Sequence, residues 1–197
     1  MAARDQLIEA TADLMRRHGV AGTAVSDILE HSGVARRSIY LNFPGGKSEL
    51  MAAATRSSGG MITALLTEIV AEADPIMAFA DMWSAALSTT DFEGGCPVVA
   101  AALGRLSAPE AAAAAADVFD EWRDLIERRL RDDGIAPEAT ASLATTIVAA
   151  IEGAVVLSEA AQTTTPLIQV ATHLNELVAV HRAHPGGAGD RWGGDPS

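Results

Sequence analysis

The sequence predicts an all-α protein of about nine helices, and composition, periodicity and punctuation agree on it. Alanine, the strongest helix former, fills whole stretches such as Ala111 to Ala116, while the aromatic residues that sheets favour make up only 4% of the chain. Apolar residues recur at three-and-four spacing between short breaks. Pro75, Pro97, Pro137 and Pro166 stand at or near first helical turns, where a missing N–H costs nothing. At 197 residues, 49% of them hydrophobic, the chain can bury a substantial core.

Taken in order, Leu7, Ala10, Thr11, Leu14 and Met15 mark a first helix that ends at His18-Gly19, where glycine can adopt the left-handed conformation of a C-cap. Thr23 is placed to cap a short helix over about 24–31, Ser32-Gly33 breaks it, and a second short helix covers about 35–41. Phe43-Pro44-Gly45-Gly46 ends that one. Lys47 opens a long helix to about residue 73, in which Gly59-Gly60 is a place to bend. Further helices are expected over about 75–88, 97–106, 108–132, 137–162 and 166–184, and the Gly- and Pro-rich tail 185–197 reads as disordered.

Net charge is −12, which alone argues against a polyanionic partner. Its distribution reverses that reading. Residues 1–50 hold six bases and six acids and are neutral, whereas the rest holds eight bases and twenty acids and carries the whole excess. A neutral head is joined to an acidic body, with the expected division at residues 1–50, 51–184 and the tail. Cys96 is the single cysteine, so no internal disulfide can form, and the start MAARDQLIE lacks the basic and apolar regions of a secretory signal; a cytoplasmic location is expected. Residues 139–158 approach the length of a membrane span, but Thr, Ser, Gly and the central Glu152 favour a buried helix.

Residues 25–43 have the parts of a helix-turn-helix. Ile28 and Leu29 face inward, Gly33 supplies the turn, Val34 plugs the corner, and Ile39 and Phe43 bury the second helix from behind. Arg36, Arg37, Tyr40 and Leu41 then fall on the opposite face. Arginines near the start of such a helix suit guanine edges in the major groove or phosphates. Ser38 on that helix and Asn42 just past its end join the predicted DNA-contacting set, as does Lys47, whose charge opposes the dipole of the helix it opens.

The string GVAGTAVSDILEHSGVARRSIYLNFPGGKSEL, residues 19–50, resembles the head of the tetracycline-repressor-type (TetR) regulators, with Gly19, Thr23, Val25, Ile28, Gly33, Val34, Tyr40, Phe43, Lys47 and Leu50 in the characteristic places. Leu29, Ser32 and Arg37 depart from it, standing where small residues are usual. The resemblance implies that Thr23, Tyr40 and Lys47 contact phosphates while the helix of Arg36 reads bases. GGCPVVAAAL (residues 94–103) and IEGAVVLSEAAQTTTPLIQV (residues 151–170) resemble the branch that includes lincomycin-resistance repressors. That likeness implies a dimer built from the last two long helices and an effector of drug-like or flavonoid-like kind.

In the body, Ala144, Ile147, Val148, Ile151 and Val155 make a stripe that suits burial against a second copy. Met61, Leu65, Phe79, Met82, Trp83, Phe92, Phe119 and Trp122 are candidates for an effector pocket, with Glu152 able to orient a polar or cationic ligand; core packing uses the same side chains. No metal or cofactor motif appears: His181 and His184 lack a Cys or carboxylate at ligand spacing. The predicted function is a transcriptional regulator, a repressor released from palindromic double-stranded operator DNA by a small apolar or aromatic effector. Two readings stand against it, a small cysteine-dependent enzyme using an apolar cavity around Cys96, and a helical membrane or scaffold protein using residues 139–158.

Overall fold

Residues 2–183 are described by the structure, a computed structural model. The tail expected to be disordered, residues 185–197, lies outside them, as do His184 and Trp192. Among the described residues there are nine helices and no strand: α1 Ala3–Gly22, α2 Val25–Ser32, α3 Arg36–Asn42, α4 Lys47–Ile69, α5 Pro75–Thr89, α6 Pro97–Leu103, α7 Pro109–Asp132, α8 Pro137–Ala161 and α9 Thr165–Ala183.

Local chemistry explains most boundaries. Gly33 takes φ +67 and closes α2, and Gly46 takes φ +68 just before α4, positions where a side chain would strain the backbone. The Asp74 carboxylate accepts from the Met77 N–H at 3.0 Å and caps α5, whose first residue is proline. Two expectations change. Gly19 does turn left-handed, at φ +69, but the chain resumes helical turns as far as Gly22, so the glycine kinks α1 rather than ending it. Thr23 does not cap α2: the N-cap is Ala24, and the Thr23 hydroxyl instead donates to the Gly19 carbonyl at 2.8 Å, bracing that kink.

Two apolar clusters organise the chain. The smaller joins Leu7 and Leu14 of α1 to Ile28, Ile39, Phe43 and Leu50, and sets the mutual angles of α1 to α4 at the N-terminal end. The larger fills the body and extends into α1 through Met15 and Val20. Central to it is α8, packed on α7 and α9, with Leu143, Ile147, Ile151 and Val155 buried. This helix is long and apolar enough to cross a membrane, but those features serve the interior of the body, where half of its most apolar window is buried.

The stripe assigned to a dimer surface therefore has another role. Ala144, Ile147, Val148, Ile151 and Val155 are all buried within this single chain, at 7% exposure or less. Their periodicity marks a face buried by the same molecule, in which α8 packs chiefly on α7 and α9. α4 runs as one uninterrupted helix through Gly59-Gly60. A Cβ on Gly59 would overlap the side chain of Val118, so the glycine lets α4 and α7 approach closely.

Candidate nucleic-acid interface and the cavities of the body

Ile28, Ile39 and Phe43 are at most 1% exposed, and by anchoring α2 and α3 from behind they fix which side of α3 faces outward. That side carries Arg36 and Arg37, both exposed and without an ion pair among the described residues, with Tyr40 58% and Leu41 67% exposed. Ser38 and Asn42 are half-buried, and the Asn42 amide donates to the Ser38 carbonyl at 2.8 Å. The Tyr40 ring lies against Gly46, beside the first turn of α4 where half-buried Lys47 stands. There the Glu49 carboxylate accepts from the Gly45 N–H at 2.7 Å, holding the tight turn into α4.

Thr23 is the exception. It is fully buried and its hydroxyl is already bonded, so it acts on this surface only through the Gly19 kink and leaves the predicted contact set.

Sequence reading missed how the head is tied to the body. Asp13 accepts from Arg16 Nε at 2.9 Å and from Arg17 Nε at 3.2 Å, and Arg17 reaches on to Glu93 at 2.9 Å in the segment between α5 and α6. Burial raises the Asp13 pKa, but the two guanidinium groups outweigh it and hold the carboxyl below its usual range. Gly104, the C-cap of α6, sits so close to Val20 of α1 that a Cβ would clash. The Asp13 pairs are local to α1, but Arg17–Glu93 and Gly104 on Val20 join residues far apart in sequence, and no local pattern announces those two.

The effector candidates do not converge on one pocket. Met61, Leu65, Met82 and Trp83 line a wide groove of about 1330 Å³ between α1, α4 and α5. Phe79 lines a separate cavity of about 280 Å³ near the far end of the body. Phe119 and Trp122 form an edge-to-face pair with centroids 5.3 Å apart, and Trp122, 1% exposed, donates its indole N–H to Thr63 Oγ1 at 2.9 Å. Phe92 lies in the segment joining α5 to α6 at φ +59. Trp83 differs from Trp122: its buried indole N–H has no hydrogen-bond partner among the described residues.

Glu152 and Cys96 line a third cavity, a cleft of about 370 Å³ between α1, α6 and α8. Burial raises the Cys96 thiol well above its usual range and the neighbouring Glu152 charge raises it further, so the sulfur stays protonated. A thiol held in that state, with a carboxylate rather than a cation beside it, is not set up as a nucleophile.

A helical body behind a three-helix head, with an outward helix bearing two unpaired arginines, defines a DNA-binding transcriptional regulator of the helix-turn-helix class. Residues 7–54 match the family described as bacterial regulatory proteins, tetR family, and residues 73–173 match the LmrA/YxaF-like C-terminal domain of transcriptional regulators. The chain is 35% identical over 182 residues to an HTH-type transcriptional regulator of Mycobacterium tuberculosis, across 89% of this chain and 93% of that one. It is 29% identical to the HTH-type transcriptional regulator LmrA of Bacillus subtilis, over 89% and 96% of the two chains. Among solved structures, a TetR transcriptional regulator from Chloroflexus aurantiacus superposes with a TM-score of 0.75 at 30% identity, covering 90% of this chain and 94% of that one. The regulatory protein TetR from Rhodobacter sphaeroides shares the fold, with a TM-score of 0.80 at 19% identity over 88% and 97% of the chains. The protein belongs to the TetR family of bacterial transcriptional regulators, and it is a DNA-binding regulator rather than an enzyme.

Proposed function

We propose that the protein is a cytoplasmic repressor that binds a palindromic operator as a homodimer and leaves it when a small apolar or aromatic effector binds the body. The observation that carries this reading is the outward face of α3, where Arg36, Arg37, Tyr40 and Leu41 stand exposed over a buried anchor. In the proposed complex the head, residues 1–50, meets DNA and the remainder holds the effector and the second copy. Arg36 and Arg37 contact base edges, Ser38, Leu41 and Asn42 lie at the groove, and Tyr40 and Lys47 flank the α4 N-terminus, which favours a phosphate.

A dimer is supported by the outer face of α8 and α9. Val156, Leu157 and Ile168 are 49%, 58% and 38% exposed, and Ala149, Gly153 and Ala160 beside them are small enough for close helix approach. An effector site is supported by the groove at Trp83, where apolar walls from Met61, Leu65 and Met82 accompany an unused N–H donor. The test is binding to the inverted repeats found in the DNA flanking the coding region, measured by fluorescence anisotropy and sedimentation. Two chains per site and half-sites spaced by about one helical turn or more are expected. Equal affinity for random and flanking DNA, or one chain per site, overturns the reading.

A further inference from the structure

The cleft between α1, α6 and α8 belongs to neither the DNA-binding face nor the groove at Trp83. Met15, Gly19 and Val20 line it from the head side, Val99 and Leu103 from α6, and Val155 from α8, so its walls are apolar and come from both parts of the molecule. Into this setting α8 places the Glu152 carboxyl, 7% exposed, and both of its oxygens are buried without a partner at full hydrogen-bond geometry among the described residues. The Cys96 thiol beside it offers at most a weak S–H contact. A carboxyl kept in such a place is costly unless something satisfies it, which makes it the one feature here that a packing role leaves unexplained.

We propose that this junction cleft is a second small-molecule site, taking a protonated alkylamine whose ammonium N–H groups bond the Glu152 carboxylate while its chain lies on the apolar walls. The volume, about 370 Å³, is that of a small-ligand pocket. The charged groups around it favour a cation. Glu159 lies at the cleft against Gly95 and adds a second carboxyl, itself raised in pKa by burial. Arg16 and His18 also line the cleft, but the Arg16 guanidinium is engaged by Asp13, so its charge is already compensated. An anion would meet Glu152 and Glu159 with no free guanidinium to receive it.

Burial holds the Glu152 pKa at about 7, and this supplies a signature. A cation binds the ionised carboxylate, so affinity must rise as pH rises through that value. Between about pH 6 and about pH 8 the ionised fraction grows roughly tenfold, and the association constant grows with it. The probe is hexylammonium, which stays protonated across this range, with hexanol and hexanoate as the neutral and anionic counterparts. Calorimetric titration of the full chain should show saturable binding of one hexylammonium per chain, tightening about tenfold over that pH interval, with hexanol and hexanoate at least about tenfold weaker.

Glu152→Gln keeps the shape and removes the charge, and should cost at least about tenfold and abolish the pH dependence. Ala100→Trp, which fills the cleft and leaves Glu152 in place, should remove binding. If either substitution prevents folding, the wild-type pH profile and the ligand comparison still decide. The proposal is overturned by hexanol binding as well as hexylammonium, by affinity independent of pH in the wild-type chain, by unchanged binding in folded Glu152→Gln or Ala100→Trp, or by no saturation up to about 10 mM.

Discussion

At the level of single residues, the same side-chain type does different work according to what lies behind it. Arg36 and Arg37 are exposed and without an ion pair among the described residues because Ile39 and Phe43 hold α3 from the other side, whereas Arg16 and Arg17, equally basic, are spent on Asp13 and Glu93. Arg36→Ala and Arg37→Ala are expected to cost about 1 to 3 kcal/mol in operator binding and to relax discrimination, while Lys47→Ala weakens all DNA alike and flattens the salt slope by about one unit. Anisotropy titrations on operator and random DNA at several salt concentrations separate the two. If neither arginine change alters the preference for operator, α3 does not read bases. Glu152 makes a second prediction at this level. Its carboxyl titrates near 4.5 when unfolded and at about 7 when folded, so the folded state holds a proton that the unfolded state has released. The contribution of this carboxyl to stability is therefore full below the lower value and is lost as pH rises across that window, by an amount on the order of 3 kcal/mol. Urea unfolding of the wild-type chain and of Glu152→Gln at about pH 5 and about pH 8 should show the wild-type loss and a flatter variant. A wild-type stability that rises from about pH 5 to about pH 8 while Glu152→Gln falls counts against it.

Helices carry the next layer, and α8 shows how one can serve two surfaces. Its buried residues Ile147, Ile151 and Val155 join it to its own body, and its exposed residues Val156 and Leu157 look outward on the next turn. Charged substitutions on the two faces should thus fail differently. Ile151→Arg places an unpaired charge in the core and is expected to destabilise by several kcal/mol and unfold the chain. A Val156→Arg and Leu157→Arg double variant should keep its helical circular dichroism but sediment as a monomer that has lost tight operator binding. A folded double variant that remains dimeric shows that the pairing face is elsewhere. For α4 the corresponding device is Gly59, whose missing side chain lets Val118 of α7 approach the helix that runs without interruption from head to body.

For the whole molecule, the proposed control by an effector requires that effector and operator prefer different arrangements of head and body. The Asp13–Arg17–Glu93 chain, the close fit of Gly104 on Val20 and the continuous α4 make the two parts mechanically continuous. An effector that lowers operator affinity by some factor must itself be weakened by operator through the same factor. Trp83→Leu is expected to weaken the effector response about tenfold or more while leaving effector-free operator binding within about twofold, because the residue stands on α5, outside the DNA-binding head. Paired titrations, effector into protein with and without operator, check both statements. An effector that releases DNA and acts equally on Trp83→Leu places the sensing site outside this groove.

Most of the architecture was determined by the sequence, because it follows from local chemistry. Alanine content, apolar spacing, and the glycines and prolines between runs define the helices, and Gly33 with Ile28, Ile39 and Phe43 defines the outward face of α3, since each signal acts within a few turns of chain. Tertiary structure alone decided which surface meets which partner. An apolar stripe on α8 states that a face is buried without saying whether its own body or a second copy buries it, and Gly59-Gly60 reads equally as a hinge or as a close approach. Trp83 and Phe79 could be assigned to separate cavities, and Glu152 set beside Cys96, only once packing had brought distant helices together. The physical reason is that periodicity encodes the direction a side chain faces along its own helix, whereas its neighbours are chosen by long-range packing that no local spacing records.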